Sequence, residues 1–367
     1  MPIIWRYLLR SYFQVLLLSV SSFVAILLVL RFQEIARFAS SGTQFIKILS
    51  FALLQIPYIL PIAIPVSSLI TTLILFQKLS KTQELTAFRS SGIGLHQLAT
   101  PLILAGLFLS LFNLSITCEI APRCRGISKE LIYQTIVANP LFIFQKESLL
   151  KMKNAYIDIK SLQLGKLAQD VVFAIKNNSN ERITLMVAKE LSLEEELLKG
   201  KQVALISSVD PKKGDGFDHL VIENQAIMDT KASHLSQYTQ EADWSFSYEY
   251  TPLRMILARE AVEKDRFGLL QMGSSAKLEM ARRVSLALAA FTFTMIGVAF
   301  GIQIGRKNSR KSLFKAIGLA SFYMVCFVTA KSLKHCTTIS VCAYLIPHLM
   351  IIAFCTFSLK SINRGLE

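Results

Sequence analysis

The residues best suited to chemistry in this chain stand together in one polar stretch, Ser80–Gly94, between two long apolar runs. Glu84 and Arg89 supply opposite charges, and Leu85 and Phe88 share a helix face because they are three residues apart. A charged group beside an apolar anchor can bind another protein, so the stretch predicts a contact with a soluble partner. The alternative is a solvated connector whose charges only fix the orientation of the neighbouring runs.

The ends of this predicted helix carry signals of their own. Ser80 followed by Gln83 has the spacing of a capping box, in which side chains bond to the first free N–H groups of a helix. Gly92 is the residue type that most often ends a helix. These signals predict a helix over about residues 80–92.

A second set of candidate residues is cationic. Arg31 and Arg37 follow the first apolar run with Glu34 between them, and Lys331 stands at the end of the fifth run. Arginine and lysine pair strongly with phosphate and carboxylate, so these residues predict capture of an anionic lipid head group. The alternative is that long cationic side chains simply reach the phosphates of the surrounding lipid.

Catalytic and metal-binding patterns are not found in the sequence. The phosphate-binding motif GxxxxGK[ST] is missing, and the five histidines are scattered without a metal-ligand neighbour at helical spacing. The apolar runs contain no Asp or Glu, so they lack the paired carboxylates of a proton relay. We therefore assign no catalytic residue, no metal site and no cofactor to this chain.

Six apolar runs set the architecture. A helix needs roughly 20 apolar residues to cross the hydrocarbon core of a bilayer, and each run is long enough or nearly so. The second run contains three prolines spaced by four, which predicts a bent helix whose freed carbonyls are satisfied by its neighbours. The runs are Tyr12–Leu30, Ile48–Gln77, Ile93–Cys118, Val284–Gly305, Leu313–Leu333 and Cys336–Leu359; we number these predicted spans 1 to 6.

Charge divides the chain into two regions. Residues 119–279 hold 21 Lys and Arg against 22 Asp and Glu, so the net charge of +15 belongs to the membrane part. Twelve cations flank the spans on the side of the N-terminus and seven on the other side, which predicts cytoplasmic N- and C-termini. The first run is longer than a signal peptide core and is predicted to stay uncleaved. No basic face gathers in the soluble part, which argues against nucleic-acid binding.

The block between spans 3 and 4 has the pattern of a β domain. Short segments rich in β-branched residues alternate with turn signals such as those at 177–180 and 210–216. We predict three regions: residues 1–118 with spans 1–3, an all-β domain with flanking helices at 119–279, and residues 280–367 with spans 4–6. Cys118 and Cys124 flank Pro122 where the block begins, and the sequence allows a disulfide between them without requiring it.

With these features the chain resembles the lipopolysaccharide-transport permeases LptF and LptG, the YjgP/YjgQ family, over its whole length. The most specific matching piece is the stretch that starts at Glu84 and ends at Ile93. Weaker pieces are RYLLR at residues 6–10, the proline-bearing second span, Ala121–Pro122, and Ile346–His348 in the last span. The Ala138–Asn139–Pro140 piece is slightly more similar to the LptF side.

The resemblance implies an α-helical membrane protein with six transmembrane helices and an inserted periplasmic β-jellyroll-like domain. It implies an inner-membrane exporter in which two such permeases form a heterodimer with two copies of a cytoplasmic ABC ATPase, which would bind ATP and Mg. Lipopolysaccharide would enter between spans 1 and 5 and pass to a periplasmic jellyroll bridge protein on its way to the outer membrane.

The resemblance also implies roles for the candidate residues. Glu84 would be the coupling-helix carboxylate that touches the ATPase, with Leu85, Phe88, Arg89 and Gly92 around it. Arg31, Arg37 and Lys331 would lie near the phosphates of the lipid.

Two other functions stay open in the sequence. One is an ABC-linked mechanotransmitter that controls a periplasmic partner without carrying lipid. The other is a membrane enzyme acting on lipid-linked substrates, which the scatter of carboxylates and histidines argues against.

Overall fold

The computed structural model describes residues 3–40, 43–138, 149–151, 155–163, 167–176, 183–194, 197–209, 219–231, 248–259, 274–302, 309–333 and 337–363. The chain forms two compact units. Unit 1 contains Met1–Leu30, Leu54–Gly126 and Tyr248–Glu367, and unit 2 contains Arg31–Leu53 and Ile127–Ser247. Asn139 and Pro140 and the turn segments 177–180 and 210–216 lie outside the described residues.

Six helices among the described residues are long and apolar enough to cross a membrane. This confirms the predicted helical membrane protein with an inserted β domain. The helices that contain spans 1, 2, 4, 5 and 6 are Ile3–Leu30, Phe45–Lys81, Ser274–Gly301, Ser309–Ser332 and Thr337–Asn363. Span 3 lies in the continuous helical segment of Leu95–Ser115, a π-helical turn Ile116–Ile120, and Ala121–Ala138.

The helix of span 4 begins at Ser274, well before the predicted span residue Val284. This earlier part of the helix contains Glu279, Arg282 and Arg283, and the carboxylate pairs with both arginines. Arg282 donates to both carboxylate oxygens of Glu279, at 2.8 and 2.6 Å, and Arg283 donates to Oε1 at 2.8 Å. Paired charges can enter a buried helix surface that single charges avoid.

A neighbouring span satisfies one of the carbonyls that the prolines of span 2 leave free. Pro65 has no N–H to donate to the carbonyl of Pro61, four residues earlier in the helix. The side-chain nitrogen of Asn113 in span 3 lies 3.3 Å from that carbonyl oxygen and donates to it. The same nitrogen donates to the carbonyl of Leu286 in span 4 at 2.9 Å. One buried amide therefore joins three spans.

Glycines bring span 4 close to its neighbours. A Cβ built at Gly297 would overlap Oγ1 of Thr72 in span 2, and one at Gly301 would come within 2.9 Å of Cβ of Phe76. A Cβ at Gly106 in span 3 would come within 2.7 Å of Cβ of Thr294. Small residues spaced by four let membrane helices pack with their backbones in close approach.

Unit 2 contains a six-stranded antiparallel sheet in which the strands follow the order of the chain. Every described pairing is therefore between consecutive strands, a meander. The strands are β1 Leu149–Lys151, β2 Ala155–Gln163, β3 Leu167–Lys176, β4 Ile183–Glu194, β5 Leu197–Val209 and β6 His219–Lys231.

The buried side of the sheet changes along its central strands. In β4 both Ala188 and Leu191 are buried, although three residues apart they would normally face opposite sides. Asp170 in β3 and Gln202 in β5 lie between the matching rows and have positive φ, 51° and 50°. The strand register is the same on both sides of these positions, so the buried side changes without an inserted residue.

Unit 2 also contains a short amphipathic helix, Phe32–Ser40, directly after span 1. Ile35 and Phe38 on its apolar face are buried. The ring of Phe38 stacks on that of Phe51, with ring centroids 4.6 Å apart. This packing holds the helix against the first turns of span 2.

Candidate functional site

The polar stretch after span 2 forms the short helix Glu84–Ser90, which we call the loop helix. The predicted capping box is wrong. Ser80 lies inside the last turn of the span 2 helix, and Gln83, in left-handed conformation with φ 60°, precedes the loop helix without a side-chain capping bond. The chain therefore reverses sharply at Thr82–Gln83 and leaves a helix shorter than the predicted 80–92.

The end of the loop helix matches the prediction. Gly92 has φ +83°, a conformation that side-chain-bearing residues rarely adopt. Its N–H donates to the carbonyl of Arg89 at 3.0 Å, and the N–H of Ile93 donates to that of Phe88 at 3.0 Å. These are the two bonds of a Schellman motif, so Gly92 fixes the direction in which span 3 leaves the loop helix.

The loop helix is anchored in the core of unit 1. The side chain of Leu85 is only 2% exposed and belongs to the main hydrophobic cluster, against which the half-buried Phe88 and Ile93 also pack. Leu85 therefore contacts the chain's own spans and leaves no surface for a partner. Arg89 on the other side is exposed.

Glu84 is held at the first turn of the loop helix. Tyr7 at the start of span 1 donates to its Oε2 at 3.2 Å, and Oγ1 of Thr82 lies within hydrogen-bond distance of its Oε1, at 3.0 Å. The residue is half-buried, so part of the carboxylate faces outward. A carboxylate at a helix N-terminus is also favoured by the free N–H groups there. The structure thus presents a fixed, partly accessible negative charge.

The predicted head-group residues divide between the two units. Arg31 and Arg37 belong to unit 2 and Lys331, at the end of the span 5 helix, belongs to unit 1. Nη1 of Arg31 lies 2.6 Å from Oε1 of Glu34, whereas Arg37 and Lys331 are exposed. Part of the positive charge expected at Arg31 is therefore already compensated.

Two buried polar clusters were missed in the sequence. The first is the Glu279–Arg282–Arg283 group in span 4. Its signal was the spacing of three and four residues between the acid and the two arginines, which places them on one helix face. The predicted start of span 4 at Val284 left these charges outside the span.

The second buried cluster surrounds His348 in span 6. Its Nε2 lies 3.0 Å from Oγ of Ser285, and its Nδ1 lies 3.2 Å from Oγ1 of Thr292. The hydroxyl of Tyr323 in span 5 lies 3.1 Å from the same Ser285 oxygen. The cluster joins spans 4, 5 and 6 by satisfied hydrogen bonds, which agrees with a structural role for this histidine. No three residues among His, Cys, Asp and Glu in the described parts of the chain converge as a metal site.

Cys118 and Cys124 are free cysteines, Cys118 buried in the π-helical turn and Cys124 half-buried one turn beyond it. The disulfide that the sequence allows between them is therefore not formed in this structure.

The family model described as lipopolysaccharide export system permease LptF/LptG matches residues 6–361. None of the curated proteins compared with the chain matches it as a relative. The family match includes all six spans, the loop helix and the whole described sheet. A match over nearly the entire chain shows that the protein belongs to the LptF/LptG family of lipopolysaccharide export permeases, which are transport subunits and not enzymes.

Proposed function

We propose that this chain is one of two permeases in an inner-membrane ABC exporter that extracts lipopolysaccharide and passes it to a periplasmic jellyroll bridge. A second permease of the same family and two copies of a cytoplasmic ATPase complete the complex. ATP and Mg bind in the ATPase, since the sequence has no phosphate-binding loop of its own. The family membership supports the export role, and the loop helix supports the contact with the ATPase.

The anchoring of the loop helix is the observation that carries the proposal. A helix that transmits the movement of an ATPase must be rigidly joined to the spans on one side and accessible on the other. Leu85 is buried in the core of unit 1, the Schellman motif fixes the exit into span 3, and Arg89 is exposed. A push on Glu84 and Arg89 would therefore move the spans and not only the loop.

The exposure of spans 1 and 5 supports a lipid path and a permease partner beside them. Only 11% of the apolar window of span 1 and 17% of that of span 5 is buried, against 78% for span 4. A large exposed apolar surface marks contact with lipid or with another protein. This exposure fits a lateral opening formed with a second permease.

Strand β6 supports contact with the bridge. It lies at one edge of the described sheet, and its residues from Ile222 to Ile227 are exposed on both faces. An exposed edge strand can pair with a strand of another sheet. In this proposal residues 1–118 and 280–367 form the membrane part with cytoplasmic termini, and residues 119–279 form the periplasmic part.

The substitution Glu84→Ala tests the contact with the ATPase. In vesicles that contain both permeases and the ATPase, we expect ATP hydrolysis to continue while lipopolysaccharide release falls, because the outward-facing charge is lost. Tyr7→Phe is the matched control, since it removes the internal bond to Glu84 but keeps the carboxylate. Normal release by Glu84→Ala would contradict the proposal. If Tyr7→Phe fails in the same way, the role of Glu84 is the internal bond and not the partner.

Reversal of two cations tests the head-group site. Arg31→Glu combined with Arg37→Glu should weaken photocrosslinking of lipopolysaccharide while assembly with the ATPase stays unchanged. The single changes refine the test: Arg37→Glu should have the larger effect, because Arg31 is already paired with Glu34. Crosslinking at the wild-type level in the double variant would exclude a head-group role.

A further inference from the structure

Arg283 is a fully buried arginine that joins three separate parts of unit 1. Its side chain is 1% exposed, and its Nε donates to Glu279 in its own helix at 2.8 Å. Its Nη2 donates to the carbonyls of Tyr248 and Thr251, at 2.8 and 2.9 Å, and its Nη1 donates to the carbonyl of Cys118 at 3.4 Å. Guanidinium suits this arrangement because its donors point in several fixed directions.

The bond to Cys118 reaches a carbonyl that cannot accept the usual α-helical bond. Pro122 has no N–H to donate to the carbonyl four residues earlier, which is that of Cys118. Nη1 of Arg283 supplies this carbonyl in the π-helical turn with a donor from another helix. Span 4 is thereby fastened to the point where span 3 continues toward unit 2.

Further charges bind the same two chain segments to each other. Nη1 of Arg125, close after the π-helical turn, lies 3.1 Å from Oε2 of Glu249. The guanidinium of Arg125 also lies over the rings of Tyr58 and Tyr250, 4.6 and 5.0 Å from their centroids. We call Arg283, Glu279, Arg125 and Glu249, with the backbone they hold, the stalk clamp.

The place of the stalk clamp in the chain gives it a function. The chain leaves unit 1 after Gly126 and returns at Tyr248, so these are the two connections to the β-sheet. Cys118 and Arg125 lie just before the first connection, and Tyr248, Glu249 and Thr251 lie at the second. Cys118, Tyr248 and Thr251 are held on the helix of span 4 through Arg283, whereas Arg125 holds Glu249 and so joins the two connections to each other.

We propose that Arg283 is a positioning residue for the transfer of lipid from the spans to the β domain. Arg283 fixes both connections to span 4, so a movement of this membrane helix also moves the two chain segments that lead into the β domain. This inference rests on the proposed export function. It requires that loss of Arg283 disturb the transfer step while loading of lipid at the spans continues.

The pair Arg283→Met and Arg282→Met tests this role. Both arginines bind Glu279, so either variant leaves this carboxylate with a partner. Among the bonds of the described residues, Arg282 donates to Glu279, whereas Arg283 also reaches the two connections. Hydrogen exchange should rise about tenfold or more at residues 248–256 in Arg283→Met, since one charge-assisted bond corresponds to roughly that factor. Arg282→Met should exchange like the wild type there.

The functional readout separates loading from transfer. In vesicles with the complete exporter, lipopolysaccharide and ATP, a benzoylphenylalanine crosslinker replaces Phe13 in span 1 or Phe173 on the buried side of the sheet. In Arg283→Met we expect wild-type crosslinking at residue 13 and at least about fivefold less at residue 173, with partial recovery in Arg283→Lys. A protein that is merely destabilised would lose both signals.

Two results would contradict the role of Arg283. Wild-type crosslinking at residue 173 in Arg283→Met, or an equal loss in Arg282→Met, would overturn it. If Arg283→Met does not assemble, the comparison of Arg283→Lys with the wild type replaces it, because the lysine keeps the charge but cannot span both connections. If the wild-type protein itself shows no crosslink to lipopolysaccharide at residue 13, the proposed function fails and not the stalk clamp alone.

Discussion

Replacement of Gly297 by alanine is expected to force span 4 away from span 2. The new methyl group would overlap Oγ1 of Thr72 and lie 2.6 Å from its Cβ and 3.1 Å from the carbonyl oxygen of Leu69. Rotation of the Thr72 side chain could move the hydroxyl but not Cβ, which is fixed to the backbone. Normal separations between carbon atoms are about 3.5–4.0 Å, so the two helices must part by roughly 1 Å.

The loss of stability caused by Gly297→Ala has an upper limit. Overpacking of a well-packed core costs typically about 1–3 kcal/mol, and the better helix propensity of alanine returns at most about 1 kcal/mol. Gly297→Ala should therefore lower stability by up to about 3 kcal/mol, or up to about 2 kcal/mol if the whole gain in helix propensity is realised. Thermal unfolding of the purified permease complex in detergent measures this as a lower midpoint.

Gly318→Ala in span 5 is the matched control. A Cβ at Gly318 meets no atom within 4 Å, so the same change there should leave the midpoint unchanged or raise it. Thr72→Gly in the Gly297→Ala background removes the colliding Cβ and should recover part of the loss. A midpoint for Gly297→Ala equal to that of Gly318→Ala would refute the reasoning, because it would mean that the close approach does not limit the packing.

Two further predictions concern span 3. Asn113→Leu should lower the thermal unfolding midpoint, because a buried carbonyl left without a donor costs about 1–3 kcal/mol. Adding Pro65→Ala restores an N–H for the carbonyl of Pro61 and should recover part of this loss. Equal midpoints for the single and the double variant would contradict this account. Cys118 and Cys124 should both react with iodoacetamide in denatured, unreduced protein, and a protected pair in the mass spectrum would show a disulfide instead.

The loop helix shows how far local sequence can be followed. Gly92 as its end was predictable, because left-handed backbone at a helix C-terminus favours glycine whatever surrounds it. Its start was not, because Ser80 and Gln83 have capping spacing but the helix of span 2 continues through Ser80 to Lys81. Burial of Leu85 was also beyond the sequence, since a side chain on an amphipathic helix can face a partner or its own core equally well.

The six spans and the presence of a β domain were determined by the sequence alone, because hydrophobic length and alternation are local properties that the bilayer and the pleated sheet select directly. The Glu84 stretch and the family resemblance were likewise readable from adjacent residues. Only the tertiary structure decided which polar groups meet inside the bundle. Arg283 and Cys118 are 165 residues apart, and Asn113 and Pro61 are 52 apart. Such pairs form because buried carbonyls freed by prolines need a donor, and packing of the spans selects which side chain supplies it.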